Sequence, residues 1–155
     1  MLDKNLYFNN DNADAVKLFI RWLHATHSEA LEDLNLIDES GGHGPTSQTI
    51  LVHAWLLGDK YSIPVFQDKV MDSLCEWMSS YWPLRSLIRL VYQKSRPGCL
   101  LQKLMAVWIA DEIINRRDST GRRGLTDVCS AKYADFEELP KDVFSALRSL
   151  SLIHI

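Results

Sequence analysis

What this chain lacks narrows its identity before any motif is read. Only three cysteines occur in 155 residues, Cys75, Cys99 and Cys129. They are odd in number, widely spaced and set in or beside helix-like segments, so a secreted disulfide framework is not expected and a reducing compartment fits best. No uninterrupted apolar run reaches the ~18 residues of a membrane span. Positions Met1 to Asn10 mix Asp3 and Lys4 with Asn9 and Asn10 and hold no apolar stretch of signal-peptide length. Secretion and membrane insertion are both unexpected, and the location expected is cytoplasmic, nuclear or both. Positive charge is also short: 17 basic against 20 acidic residues give a net charge of −3. Without a positive field to neutralise a phosphate backbone, nucleic acid is not an expected partner. Internal repeats and low-complexity tracts are absent as well.

What is present reads as an ordinary folded chain. Apolar residues make up 46% and charged residues 24%, a globular balance that argues against wholesale disorder. The length suits one compact unit. Leu2 to Phe8 is compatible with one short strand, closed by Asn and Asp. From an N-cap at Asp11 or Asn12, the positions Ala13, Val16, Phe19, Ile20 and Leu23 recur at helical spacing, and Ala15, Leu18 and Trp22 widen the stripe. This helix is expected to be buried on much of its circumference.

Thr26 to Pro45 turns acidic and then glycine-rich, and reads as a surface loop. Thr46 or Ser47 can cap a second helix bearing Ile50, Leu51, Ala54, Trp55 and Leu57, which Ile63-Pro64 ends because a residue before proline is pushed out of helical space. Phe66, Val70, Leu74, Trp77 and Met78 mark a third helix, with Cys75 read on its core stripe, and Trp82-Pro83 breaks it. Leu84, Leu87, Ile88, Val91 and Tyr92 make a fourth, stopped by Arg96-Pro97-Gly98. A fifth runs from Leu100 to about Arg117, and its first half, with Leu101, Leu104, Met105, Val107, Trp108 and Ile109, is apolar nearly all round. Arg116 to Gly124 is a basic turn. A last helix opens at Leu139-Pro140 and carries Val143, Phe144, Leu147 and Leu150.

Three stretches, taken in order, resemble the fungal BTB/POZ pattern. They are Phe19-Ile20-Arg21-Trp22-Leu23-His24, then Leu56-Leu57-Gly58-Asp59-Lys60-Tyr61-Ser62-Ile63-Pro64, then Phe66-Gln67-Asp68-Lys69-Val70-Met71-Asp72. Downstream, Arg89-Leu90-Val91-Tyr92, the Pro97-Gly98 turn, Leu100 to Leu104 and Trp108 resemble the region that follows the domain in fungal members. The likeness covers roughly residues 1 to 115. His24 stands where the family usually has Tyr and Gly58 where it usually has Ala. A complete domain of this family begins with about half a domain of strands and helices absent from this chain, unless Leu2 to Phe8 is the last strand of that half. The resemblance implies a mainly α helical bundle, like the C-terminal half of a BTB/POZ domain with additional helices and at most one short N-terminal strand. Residues 1–95 form the partial domain and 96–155 a helical extension packed on it, with the seam at Ser95 to Gly98.

The signatures are packing devices, so the function implied is a non-catalytic protein-protein interaction module, adaptor-like or competing, in ubiquitin-ligase or transcription-related complexes. The partner implied is a cullin scaffold or another BTB/POZ chain. Homo-oligomerisation by the full family interface is not expected, because the half that usually supplies it is absent. The triplets Leu31-x-Asp33 and Ile37-x-Glu39 are similar to the apolar-x-acid element that some members use against a cullin, set against the plainer reading of a solvated acidic loop.

Chemical motifs are few. His24, His27 and His53 invite a metal reading, but no carboxylate or thiol clearly converges on them, so a structural role is preferred. Gly41-Gly42-His43-Gly44 lacks the lysine and the strand-then-helix setting of a phosphate loop. No G-x-S-x-G or H-E-x-x-H cluster accompanies Cys75 or any serine, so neither catalysis nor a cofactor is expected. Arg116-Arg117 and Arg122-Arg123 bracket Ser119 and Thr120, which makes Ser119 a candidate phosphosite or the tract an import signal, against a solvated basic turn. Two other readings stay open: a small helical enzyme using His24, His53 and loop acids, and a truncated relic without an independent role.

Overall fold

In the computed structural model, Phe8 and residues 10–25, 45–80, 85–115 and 138–153 are described. Among them the secondary structure is helical throughout, in six helices: α1 (Ala13–Ala25), α2 (Pro45–Lys60), α3 (Pro64–Ser80), α4 (Arg85–Lys94), α5 (Leu100–Asn115) and α6 (Glu138–Ile153). The fold is mainly α, a helical bundle as expected. The proposed strand Leu2 to Phe8 lies outside the described residues except for Phe8, which belongs to no regular element.

The chain divides into two compact units, Met1–Trp82 and Pro83–Ile155. In the first, α2 packs against both α1 and α3. Asn12 starts α1: its side-chain Oδ1 accepts from the backbone N–H groups of Asp14 and Ala15, each at 3.1 Å, which satisfies two donors that the first turn leaves orphaned. The face that α1 buries is Ala15, Leu18, Phe19 and Trp22. This is narrower than the periodicity implied, because Ile20 and Leu23 remain 43% and 40% exposed. Two apolar registers wind side by side on this helix, and the one bearing the large rings takes the core.

Helix α2 begins at Pro45, so Thr46 and Ser47 lie inside its first turn rather than capping it. Proline suits that position because its missing N–H is one that a helix start does not use. Leu51, Val52, Ala54, Trp55 and Leu57 are buried along it. Helix α3 buries Phe66, Val70, Leu74 and Trp77, the expected stripe. Cys75 corrects that expectation, since it is exposed: one residue past Leu74 turns a side chain about 100° around the helix and off the stripe.

In the second unit, α5 packs on α6 and on α4. Ile88 from α4, Ala106, Ile109 and Ala110 from α5, and Leu139, Val143 and Ala146 from α6 form its core, with Tyr92, Ile113, Leu147 and Leu150 packed against it. The Ser95–Gly98 stretch, read from sequence as a seam, joins α4 to α5 inside this unit. Gly98 takes a left-handed φ of 72° there, and its N–H donates to Oε1 of buried Gln102 at 2.8 Å. That bond ties the turn to the first turn of α5 and accounts for a polar side chain among apolar neighbours.

Candidate functional site

Phe19, Trp22, Lys60, Tyr61 and Phe66 lie at or beside the corner between α2 and α3. At the end of α2 the Ile63 N–H donates to the Gly58 carbonyl at 2.9 Å and the Ser62 N–H to the Asp59 carbonyl at 3.3 Å, with Ser62 at a φ of 55°. This pair of bonds is the Schellman closure of a helix, with serine in the left-handed position that glycine usually fills. Pro64 then opens α3, and Gln67 N–H donates to the Ile63 carbonyl at 3.1 Å. Gly58 is the notch of the corner, because a Cβ there would lie 2.5 Å from Gln67 Cγ.

Five aromatic side chains gather beside this corner. Phe66 meets Phe19 and Trp22 at centroid separations of 5.1 Å each, and Phe19 stacks with Trp22 at 5.9 Å. The Phe8 ring stands edge-on to Tyr61 at 5.4 Å and to Phe19 at 6.0 Å. These separations and tilts are those that ring quadrupoles favour.

One carboxylate closes the corner. Asp11, 11% exposed at its side chain, accepts from Lys60 Nζ at 2.8 and 2.9 Å and from the Tyr61 hydroxyl at 2.7 Å. Lys60 Nζ also stands 4.9 Å from the Tyr61 ring centroid. Burial pushes the Asp11 carboxyl upward, but the hydrogen bonds from Lys60 and Tyr61, with the lysine charge, outweigh it and hold the group below its ordinary range. Lys60 is raised in turn, first by its bond to Asp11. Both groups are therefore held in their charged forms at neutral pH. Such a pair is suited to fastening chain segments and poorly suited to exchanging protons.

Two other titratable side chains among the described residues are shifted. Partial burial, and then the charge of Asp72, raises the Cys75 thiol, which keeps it from the thiolate form that attacks electrophiles. Burial, followed by the hydrogen bond to Asp142, strongly raises the Tyr92 phenol. His24 is exposed near the end of α1, His53 is half-buried on α2, and His27 lies outside the described residues. Among the described residues no group of three His, Cys, Asp or Glu side chains stands ready to hold a metal ion.

Leu31, Asp33, Ile37 and Glu39, the candidate partner contacts, lie outside the described residues, and so does Ser119. The residues that sequence reasoning missed are Asp11, read only as an alternative N-cap, and the Tyr92–Asp142 pair. Neither carries a local signal, since each bond spans fifty positions. No helix among the described residues is long and apolar enough to cross a membrane. Comparison with known proteins adds no identification: no family model, no curated protein and no solved structure matches this chain.

Proposed function

We propose that this chain is a non-catalytic protein-protein interaction module of BTB/POZ type, adaptor-like or competing, that works in ubiquitin-ligase or transcription-related complexes of the cytoplasm, the nucleus or both. The observation that carries the reading is the corner itself. Phe19, Trp22, Lys60, Tyr61 and Phe66, which stand in the stretches resembling the family pattern, converge on one another through ring contacts and one shared carboxylate. Ring packing of this kind supports a structural, non-catalytic role for these residues. Lys60, the charged residue among them, pairs with Asp11, and each holds the other in its charged form.

A cullin scaffold or a second BTB/POZ chain is the partner this reading favours, with the acidic stretch around Leu31, Asp33, Ile37 and Glu39 as the contact. The test is size-exclusion chromatography with light scattering of the full chain, alone and mixed with a purified cullin N-terminal domain. A stoichiometric complex supports the reading. Separate elution of the two proteins at concentrations of about 50 µM, where a Kd of ~1 µM gives near-complete complex, contradicts the cullin assignment.

A further inference from the structure

Helix α5 carries apolar side chains on two faces. One face, through Ala106, Ile109 and Ala110, is packed into the core of the second unit with α4 and α6. The other carries Leu100 and Val107, which are 65% and 43% exposed, and Ile114, which is half-buried. A step of seven residues returns to within about 20° of the same helix direction, so these three side chains form one stripe. Lys103 and Asp111, both exposed, flank it. They stand four positions before and four after Val107, which sets them about 6 Å along the axis and about 40° around it, on opposite sides of the stripe. Among the described residues neither forms an ion pair.

This placement is self-complementary, and from it we infer that the outer face of α5 is a homodimer surface, occupied by α5 of a second copy of this chain laid antiparallel across a twofold axis through Val107. Such an axis, directed along the Val107 side chain, reverses both the position along the helix and the side of the stripe. It therefore sets Lys103 of each copy against Asp111 of the other, Leu100 against Ile114, and Val107 against itself, the isologous pattern of a twofold dimer. Parallel helices would bring Lys103 level with Lys103 and Asp111 level with Asp111, so the charges select the antiparallel arrangement. The surface is separate from the acidic stretch proposed above as a partner contact, and either can fail without the other. One pair of short helices falls below the ~1,600 Å² of a standard interface, so the dimer is reversible, with an expected Kd of about 10–100 µM.

Sedimentation equilibrium of the full chain over about 5–500 µM tests this. The wild type is expected to show a reversible monomer–dimer equilibrium. Lys103→Glu and Asp111→Lys each set like charges across the axis, and each is expected to weaken self-association at least about tenfold while the helical circular dichroism is unchanged. Mixed together, the two variants are complementary at both charge pairs, one offering two acids and the other two bases. The mixture is expected to form a heterodimer within about threefold of wild-type strength. Val107→Glu, which brings two carboxylates together on the axis, is expected to abolish the dimer. A wild type that stays monomeric throughout the range overturns the proposal. So does self-association that Lys103→Glu and Val107→Glu leave unchanged, because the contact then lies elsewhere. A mixture of the two charge variants no more associated than either alone overturns the antiparallel pairing.

Discussion

The Tyr92 hydroxyl donates to Asp142 Oδ2 at 2.9 Å, fifty positions away in sequence, and so pins α4 to α6 across the core of the second unit. Burial of the phenol, then its bond to Asp142 and the nearby charge of that carboxylate, push its ionisation well above the ordinary tyrosine value of 10.0. A group whose folded pKa is raised contributes stability below its unfolded pKa, and that contribution is lost as pH rises beyond it. Tyr92→Phe is therefore expected to cost about 1–2 kcal/mol at pH 7. Urea midpoints of wild type and variant should converge above about pH 10. A gap that stays constant to pH 11 contradicts the assignment.

Asp11 has the opposite sign. Its folded pKa lies below the ordinary value of 3.8, so its contribution is present above that value and disappears as pH falls through the folded pKa. Thermal melts of wild type and Asp11→Asn should differ clearly at pH 7 and converge below about pH 4. If the two melting curves stay equally far apart down to pH 2, the carboxylate charge is not what fastens the corner.

Ser62 occupies a left-handed position at the end of α2 with a φ of 55°. Glycine meets that conformation without a Cβ clash, although it gains more freedom when unfolded. Ser62→Gly is expected to stabilise the chain by about 0.5–1 kcal/mol, read as a rise in the urea midpoint with an unchanged slope. A loss of stability would show that the serine side chain holds the corner in some further way.

Gly58 tests the packing of the same corner. Alanine normally favours a helix over glycine by about 1 kcal/mol. The added Cβ, however, would stand 2.5 Å from Gln67 Cγ, and overpacking of that kind costs about 1–3 kcal/mol. Gly58→Ala should therefore destabilise the wild type yet stabilise a Gln67→Ala background. The same sign in both backgrounds in a double-mutant cycle contradicts the close approach.

The helices were legible because their cues are local. Asn12 is a capping residue followed by a 3.6-residue apolar period, and Ile63-Pro64 and Pro97-Gly98 are stops that act on their own backbone. The buried face of α1 was legible only in part. Its two apolar registers, one through Phe19 and Trp22 and one through Ile20 and Leu23, look alike until the Phe66 ring selects one. Cys75 was misplaced for a related reason, since a single step from Leu74 decides its exposure. The bonds from Tyr61 to Asp11 and from Tyr92 to Asp142 were not legible at all, because nothing in either neighbourhood names a partner fifty residues distant. Phe19, Trp22, Lys60, Tyr61 and Phe66 lie within stretches that the sequence singled out, whereas Asp11, which binds two of them, lies in none.

The interaction-module reading is most directly tested by calorimetric titration of the full chain with a purified cullin N-terminal domain, comparing wild type, Leu31→Ala and Glu39→Lys. The account predicts saturable binding with a Kd of about 1 µM or tighter, and a loss of at least about tenfold, or ~1.4 kcal/mol, in Glu39→Lys. Wild-type binding that is undetectable at about 100 µM, or equally tight in Glu39→Lys, would contradict it.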